Sequence, residues 1–138
     1  MSRKHVFAVA AGLVGIALAF GLGVAVGQQT PPTVTKGVKI SPPTALDLSQ
    51  ELDGVDGRQL RLRIVTIDPG GVIAVHTHNG RPGVAYILQG TLTEHREGSG
   101  AIERHVGESW AEGKDTTHWA ENTGDGAVVV LAVDVFKP

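Results

Sequence analysis

Cysteine is absent from all 138 residues, which removes disulfide stapling, thiolate metal ligands and thiol nucleophiles together. Charge of one sign is missing too. Twelve basic residues against 14 acidic ones give a formal net charge of −2, so there is no basic field for a nucleic-acid backbone. With no Walker loop and no dinucleotide fingerprint, nothing recruits a nucleotide, and nucleic acid is not expected as a partner. Aromatics are few, with two Trp, one Tyr and three Phe. Beyond Pro43 no segment carries the apolar period of a soluble helix. What is plentiful is glycine, 19 residues, beside seven prolines. A chain of this length and composition holds one small, turn-rich β domain, stabilised by packing and by whatever a metal or a second subunit adds.

A single long apolar run departs from this pattern. Ser2-Arg3-Lys4-His5 precedes an uncharged stretch from Val6 to Gly27, which is close to the roughly 20 residues that span a bilayer and longer than the roughly 7–15 of a signal-peptide core. Residues 1–27 therefore read as a hydrophobic N-terminal helix serving as a signal peptide or a transmembrane anchor. Ala25-Val26-Gly27 offers small residues for cleavage before Gln28, while the length suits an uncleaved anchor. Gly12, Gly15, Gly21 and Gly23 would weaken a soluble helix. Arg3 and Lys4 hold the amino terminus in the cytoplasm. Both fates export the domain to a periplasmic or extracytoplasmic location, soluble after cleavage or anchored to the inner membrane.

Residues 28–43 read as a proline-bearing connector, with Pro31-Pro32 and Pro42-Pro43 favouring extended backbone. Val38 and Ile40 offer the alternative of an edge strand. The domain proper is expected over residues 44–138. Gln59 to Ile67 alternates with a period near two, Pro69-Gly70-Gly71 reads as a turn, and Val72 to His78 reads as the next strand. Val84–Leu88, Thr91–Arg96, Ala101–Val106 and Ala127–Phe136 add β-rich runs, with Glu97-Gly98-Ser99-Gly100 as a hairpin turn. Many short strands with glycine turns fit an all-β sandwich or barrel.

The chemistry-bearing pattern is histidine. In an extended strand His76 and His78 project from one face, so the His-x-His pair can offer two nitrogens to one point, and His118 would complete the set from another strand. Neutral imidazole is available near physiological pH and suits transition metals.

The glycines around these histidines carry a resemblance. Gly70, His76, His78 and Gly90 are similar in spacing to the first signature of the cupin superfamily, G-x5-H-x-H-x3,4-E-x6-G, and Gly107, His118 and Asn122 to the second, G-x5-P-x-G-x2-H-x3-N. The resemblance implies a double-stranded β-helix of the jelly-roll kind, with His76, His78 and His118 holding a divalent transition metal, one of Fe, Mn, Zn, Ni or Cu. It also implies a small-molecule ligand or substrate and, through exposed strand edges, a homodimer. Gly83 stands where cupins usually carry their glutamate ligand, so an open three-histidine site is expected, with Gly83 and Arg81 beside the substrate. Without the carboxylate, an uncompensated cation favours an anionic ligand, and Arg81 would add to that attraction. Gly113 and Asp115 replace a proline and a glycine of the second signature, changes of turn rather than of ligand. Three-histidine cupins without the glutamate include thiol dioxygenases. The activity implied is thus dioxygenase-like oxidoreduction or a lyase reaction, with a non-catalytic binding or sensory domain as the alternative.

Other residues invite functional readings that carry less weight. His95 and His105 lie in the two arms of the expected hairpin, and a peripheral role is expected for both. Trp110, Trp119 and Tyr86 are assigned to packing, and Asn122 to pinning a turn through its amide. Glu94, Glu108, Glu112 and Glu121 lack the spacing of a replacement ligand, and none is expected to reach the metal.

Overall fold

The computed structural model describes residues 29–138. The expected N-terminal helix over 1–27, with its cleavage site, lies outside the described residues. Among the described residues no helix is long and apolar enough to cross a membrane.

Among the described residues nine strands build the domain: β1 (Lys36–Ile40), β2 (Thr44–Asp47), β3 (Gln59–Thr77), β4 (Gly83–Gln89), β5 (Leu92–Arg96), β6 (Gly100–Arg104), β7 (Ser109–Glu112), β8 (Thr117–Glu121) and β9 (Val128–Phe136). A single 3-10 turn, Leu48–Gln50, is capped by the Asp47 carboxylate, which accepts from the Ser49 backbone N–H. The pairing order is β6-β5-β8-β3-β9-β4-β7, with β1 and β2 also on β3, and every pairing is antiparallel. The result is an all-β, nearly closed barrel, one of the two forms expected from the strand pattern and consistent with the jelly roll that the resemblance implies.

The long β3 strand makes the barrel. Its first part pairs with β9, from Gln59↔Phe136 to Ile67↔Val128, and its last part pairs with β8, from Val72↔Glu121 to Thr77↔Thr117. Pro69-Gly70-Gly71 does not end a strand, as its composition suggested; it bends one strand so that it serves both halves. Gly70 has φ 73°, a left-handed conformation that glycine adopts without steric penalty. At Gly71 an added Cβ would meet Asp68 O, Gly37 O and Ile67 Cγ2, all at 2.8 Å, so only glycine lets the backbones come this close. Asn122 ties the bend down. Its backbone N–H donates to Gly71 O and its carbonyl accepts from Gly70 N–H, while its side-chain amide donates to Ile67 O and Gly126 O. The turn-pinning duty expected of Asn122 is what the structure shows.

The segment read as a spacer contributes structure of its own. β1 lies inside it and pairs with β3 through Val38↔Ile67 and Ile40↔Val65. Val38 packs partly buried against the core, which is the edge-strand alternative.

The core consists of Val65, Ile67, Ala85, Ile87, Leu92, Ala120, Val128 and Val130. Alternation puts them inside: in β4, Ala85 and Ile87 are buried while Val84, Tyr86 and Leu88 are exposed. Each large aliphatic so buried contributes roughly 1.5–3 kcal/mol. Tyr86 faces outward, as its parity required.

The bend generates a prediction. Gly71→Ala forces a methyl against two backbone oxygens and should lower unfolding free energy by about 1–3 kcal/mol, as overpacking typically does; a urea midpoint equal to the parent's would show that β3 does not need the close approach.

Candidate metal centre

His76 sits near the end of β3, His78 just beyond it, and His118 in β8. His76 and His118 are direct cross-strand partners, so their side chains share a face of the sheet. His78 and His118 are buried, at 4 % and 5 % exposure. The three Nε2 atoms lie within 3.3 Å of one another: 3.3 Å for His76–His78, 3.0 Å for His78–His118 and 3.0 Å for His76–His118. The rings are tilted against each other by 52–70° rather than stacked.

The opposite nitrogen of each ring is engaged. His76 Nδ1–H donates to Ala74 O at 2.9 Å, His78 Nδ1–H to Arg81 O at 3.2 Å, and His118 Nδ1–H to Glu94 Oε1 at 2.6 Å. Carbonyl and carboxylate oxygens only accept, so the ring proton belongs on Nδ1 and three Nε2 lone pairs face one point. Lone pairs at this distance repel unless a cation stands between them. Donors around one ion with bonds of about 2.0–2.1 Å are roughly 3.0–3.4 Å apart, which is the spacing found. Burial, followed by the neighbouring His118, lowers the pKa of His78 to about 4, against the opposing hydrogen bond to Arg81 O. Burial also lowers that of His76, against the opposing Ala74 hydrogen bond. Both rings are therefore kept in the neutral form that binds metal.

Glu94 locks the third ring. It is completely buried and accepts from Arg96 Nε at 2.7 Å and from Arg104 Nε and Nη2 at 2.9 and 2.8 Å. Burial by itself would raise its pKa, but hydrogen bonds from His118, Arg96 and Arg104 outweigh that and hold it at about 2. On the other flank Asp134 accepts from Arg61 at 2.9 and 2.8 Å and from Arg63 at 2.9 Å, with Arg81 Nη1 at 3.7 Å. Arg63 Nε is buried without a partner. Arg81 is thus not a free surface cation; it shares one carboxylate with two other guanidiniums, so this cluster carries more positive than negative charge.

Gly83 has no room for a side chain, because a Cβ there would lie 2.7 Å from Val133 O and 3.2 Å from Asp134 Cβ. One expectation needs correction, because the glutamates do not all stay away: Glu112, on β7, brings Oε2 to 3.4 Å from His78 Nε2 and Oε1 to 3.7 Å from His118 Nε2. Glu94 sits one bond further out, as the partner of His118. Both lie on other strands than the histidines, so only cross-strand register brings them in. Their strand parity was the one signal available: Glu94 shares a strand face with buried Leu92, and Glu112 with inward-packed Trp110. The remaining candidates are peripheral. His95 stacks on Trp119 at 3.6 Å and bonds Glu121 at 2.9 Å, His105 approaches Thr91 at 3.3 Å, and Glu108 accepts from the His105 backbone.

Comparison with known proteins agrees with this architecture. The profile of the family described as "Cupin domain" matches residues 63–134, and the chain belongs to that family. No curated protein matches the sequence. Among solved structures, a predicted oxalate decarboxylase from Thermotoga maritima is 20% identical with a TM-score of 0.50, covering 68% of this chain and 91% of its own. The cupin domain of a transcriptional regulator from Enterobacter cloacae is 12% identical with a TM-score of 0.55, covering 75% and 99%. An oxalate oxidase is 20% identical with a TM-score of 0.53, covering 71% and 50%. At these identities the likeness establishes the fold and leaves the reaction open.

Two outcomes follow from the electrostatics. A folded His78 with its pKa depressed from 6.5 to about 4 binds fewer protons than the unfolded chain between those values, so chelator-treated protein should lose stability as pH falls from 6.5 toward 4. Urea titrations across that window test this, and His78→Gln should flatten the slope; an equally steep slope in the variant would contradict the assignment. Glu94 is depressed from 4.5 to about 2, so its contribution is present above pH 4.5 and fades as pH drops toward 2. Glu94→Gln should destabilise the protein by about 3–5 kcal/mol at pH 7, since it strands two guanidiniums, and by clearly less at pH 3; a pH-independent difference would count against the ion-pair account.

Proposed function

We propose that this chain is an exported or membrane-anchored cupin that holds a divalent transition metal on His76, His78 and His118 and acts on a small anionic or oxygen-donor molecule. The carrying observation is the three Nε2 atoms within 3.0–3.3 Å, each ring fixed through Nδ1. Fe, Mn, Zn, Ni and Cu all suit an imidazole-rich donor set. Export rests on the Arg3-Lys4 pair and the apolar run that follows it.

When bound, the ion would supply Lewis-acid or redox chemistry to a coordinated small molecule. The chain's own residues do the rest. Ala74 O, Arg81 O and Glu94 orient the rings, and the buried walls around His78 and His118 exclude water. The surplus of guanidinium over carboxylate at Arg61, Arg63, Arg81 and Asp134 favours an anion. Arg81, and Gly83 through its backbone, are the residues proposed to stand beside the substrate.

The reaction class proposed is dioxygenase-like oxidoreduction or a lyase step. A second reading, non-catalytic binding or sensing, has one observation in its favour. The carboxylates around the histidines are committed: Glu94 to two arginines, Asp134 to three, and one oxygen of Glu112 to Trp110. Among these carboxylates only Oε2 of Glu112 is left outside a hydrogen bond. Self-association is part of the proposal as well, supported by exposed Val84, Tyr86 and Leu88 along the outer face of β4.

Elemental analysis of the purified chain tests the metal reading. Stoichiometric metal should be present in the parent and fall to background in His76→Ala and His118→Ala; undiminished metal in both variants would remove the shared site. Turnover of small organic acids or thiols by the loaded protein supports the enzyme, whereas saturable stabilisation without product supports the binding domain.

A further inference from the structure

Gly83 and Glu112 are register partners on β4 and β7. Paired residues of an antiparallel ladder point to the same side of the sheet, so a side chain at 112 stands on the face to which one at 83 would belong, displaced by one strand spacing of about 4.8 Å. A glutamate is long enough to return across that gap. The other neighbour of Gly83 is Asp134 on β9, and with Val133 O at 2.7 Å from the ideal Cβ position the backbone leaves no room for a glutamate in β4 itself.

Three carboxylates approach the histidines, and their hydrogen bonds separate them. Glu94 has both oxygens taken by guanidiniums, with His118 Nδ1 sharing one of them. Asp134 has both oxygens on arginines. Glu112 accepts from Trp110 Nε1 through Oε1 at 3.0 Å. Its Oε2 has only the 3.4 Å approach to His78 Nε2. That nitrogen is the bare one, because the His78 ring proton is on Nδ1 and donates to Arg81 O. A carboxylate oxygen facing an imidazole lone pair inside a barrel is repulsive unless a cation joins them. Glu112 is only 9 % exposed, so water does not screen the pair.

We propose that Glu112 is the fourth protein ligand, a carboxylate supplied by β7 in place of the one that β4 cannot carry. The proposal rests on the reading that His76, His78 and His118 hold a divalent ion. The proposed ligand atom, Oε2, lies 3.4 Å from His78 Nε2, at the upper end of the roughly 3.0–3.4 Å between donors on one ion, while the Trp110-bound Oε1 lies 3.7 Å from His118 Nε2. The donor set becomes three neutral rings and one anion. It cancels part of the ion's charge and leaves fewer positions for an incoming molecule than three histidines would. Trp110 acts as a positioning residue: its indole N–H holds Oε1 and aims Oε2 at the histidines.

The test is Co²⁺ binding by the full chain, freed of metal, titrated against a competing chelator while the visible ligand-field spectrum is recorded. Parent, Glu112→Ala, Glu112→Gln and His118→Ala proteins are compared. Glu112→Ala should weaken Co²⁺ binding by more than the roughly 10–100-fold that losing an outer partner of a ligand costs, and should shift the bands. Glu112→Gln keeps an oxygen for Trp110 Nε1 and the volume of the side chain, so it decides the matter if the alanine variant fails to fold; weaker binding with shifted bands is again expected. Unchanged affinity in Glu112→Gln, or weaker binding with an unchanged spectrum, overturns direct ligation by Glu112. If His118→Ala loses Co²⁺ in the same series, the three-histidine centre stands without Glu112. Failure of the parent itself to bind Co²⁺ overturns both.

Discussion

Three imidazole lone pairs held within 3.3 Å of each other in a barrel wall are stable only with positive charge between them. The surrounding structure serves that constraint. The bend of β3 at Gly70 and Gly71 sets His76 opposite His118, and Asn122 fastens the bend to β8 through backbone and side chain. Three acceptors on the far side of the rings remove the freedom of tautomer and rotation that would otherwise let the nitrogens turn away.

Charge around the histidines is arranged in two buried ion clusters. Glu94 with Arg96 and Arg104 backs His118, and Asp134 with Arg61, Arg63 and Arg81 closes the opposite flank. Removing one partner of such a cluster is expensive, so the clusters fix geometry rather than add much net stability. They also divide the labour. The Glu94 cluster is committed to orienting a ring, while the Asp134 cluster carries surplus positive charge toward whatever enters beside His78. Glu112 stands between them with one oxygen uncommitted, which makes it the carboxylate available to the centre.

Local pattern made part of this visible in the sequence. Period-two alternation located most strands, His-x-His parity put two imidazoles on one face, and Gly70, Gly90, Gly107 and Asn122 carried the family resemblance that added His118. Long-range register was not visible. Pro69-Gly70-Gly71 looks the same whether it ends a strand or bends one, and the difference depends on the simultaneous pairing of β3 with β8 and β9. Glu112 was set aside for its spacing along the chain, yet it meets the histidines through its pairing with Gly83, a relation that spacing does not encode. The missing side chain at Gly83 is evident in the sequence, whereas the Val133 O that leaves no room for one is not. Val38 in β1 belonged to a segment whose prolines suggested a spacer, and burial against the core decided otherwise.

X-ray absorption at the edge of the metal that copurifies with the full chain tests the central claim most directly. The account predicts a light-atom N/O shell at about 2.0–2.2 Å with the outer scattering of three imidazole rings. Absence of any bound transition metal, or scattering from a single ring, would contradict it.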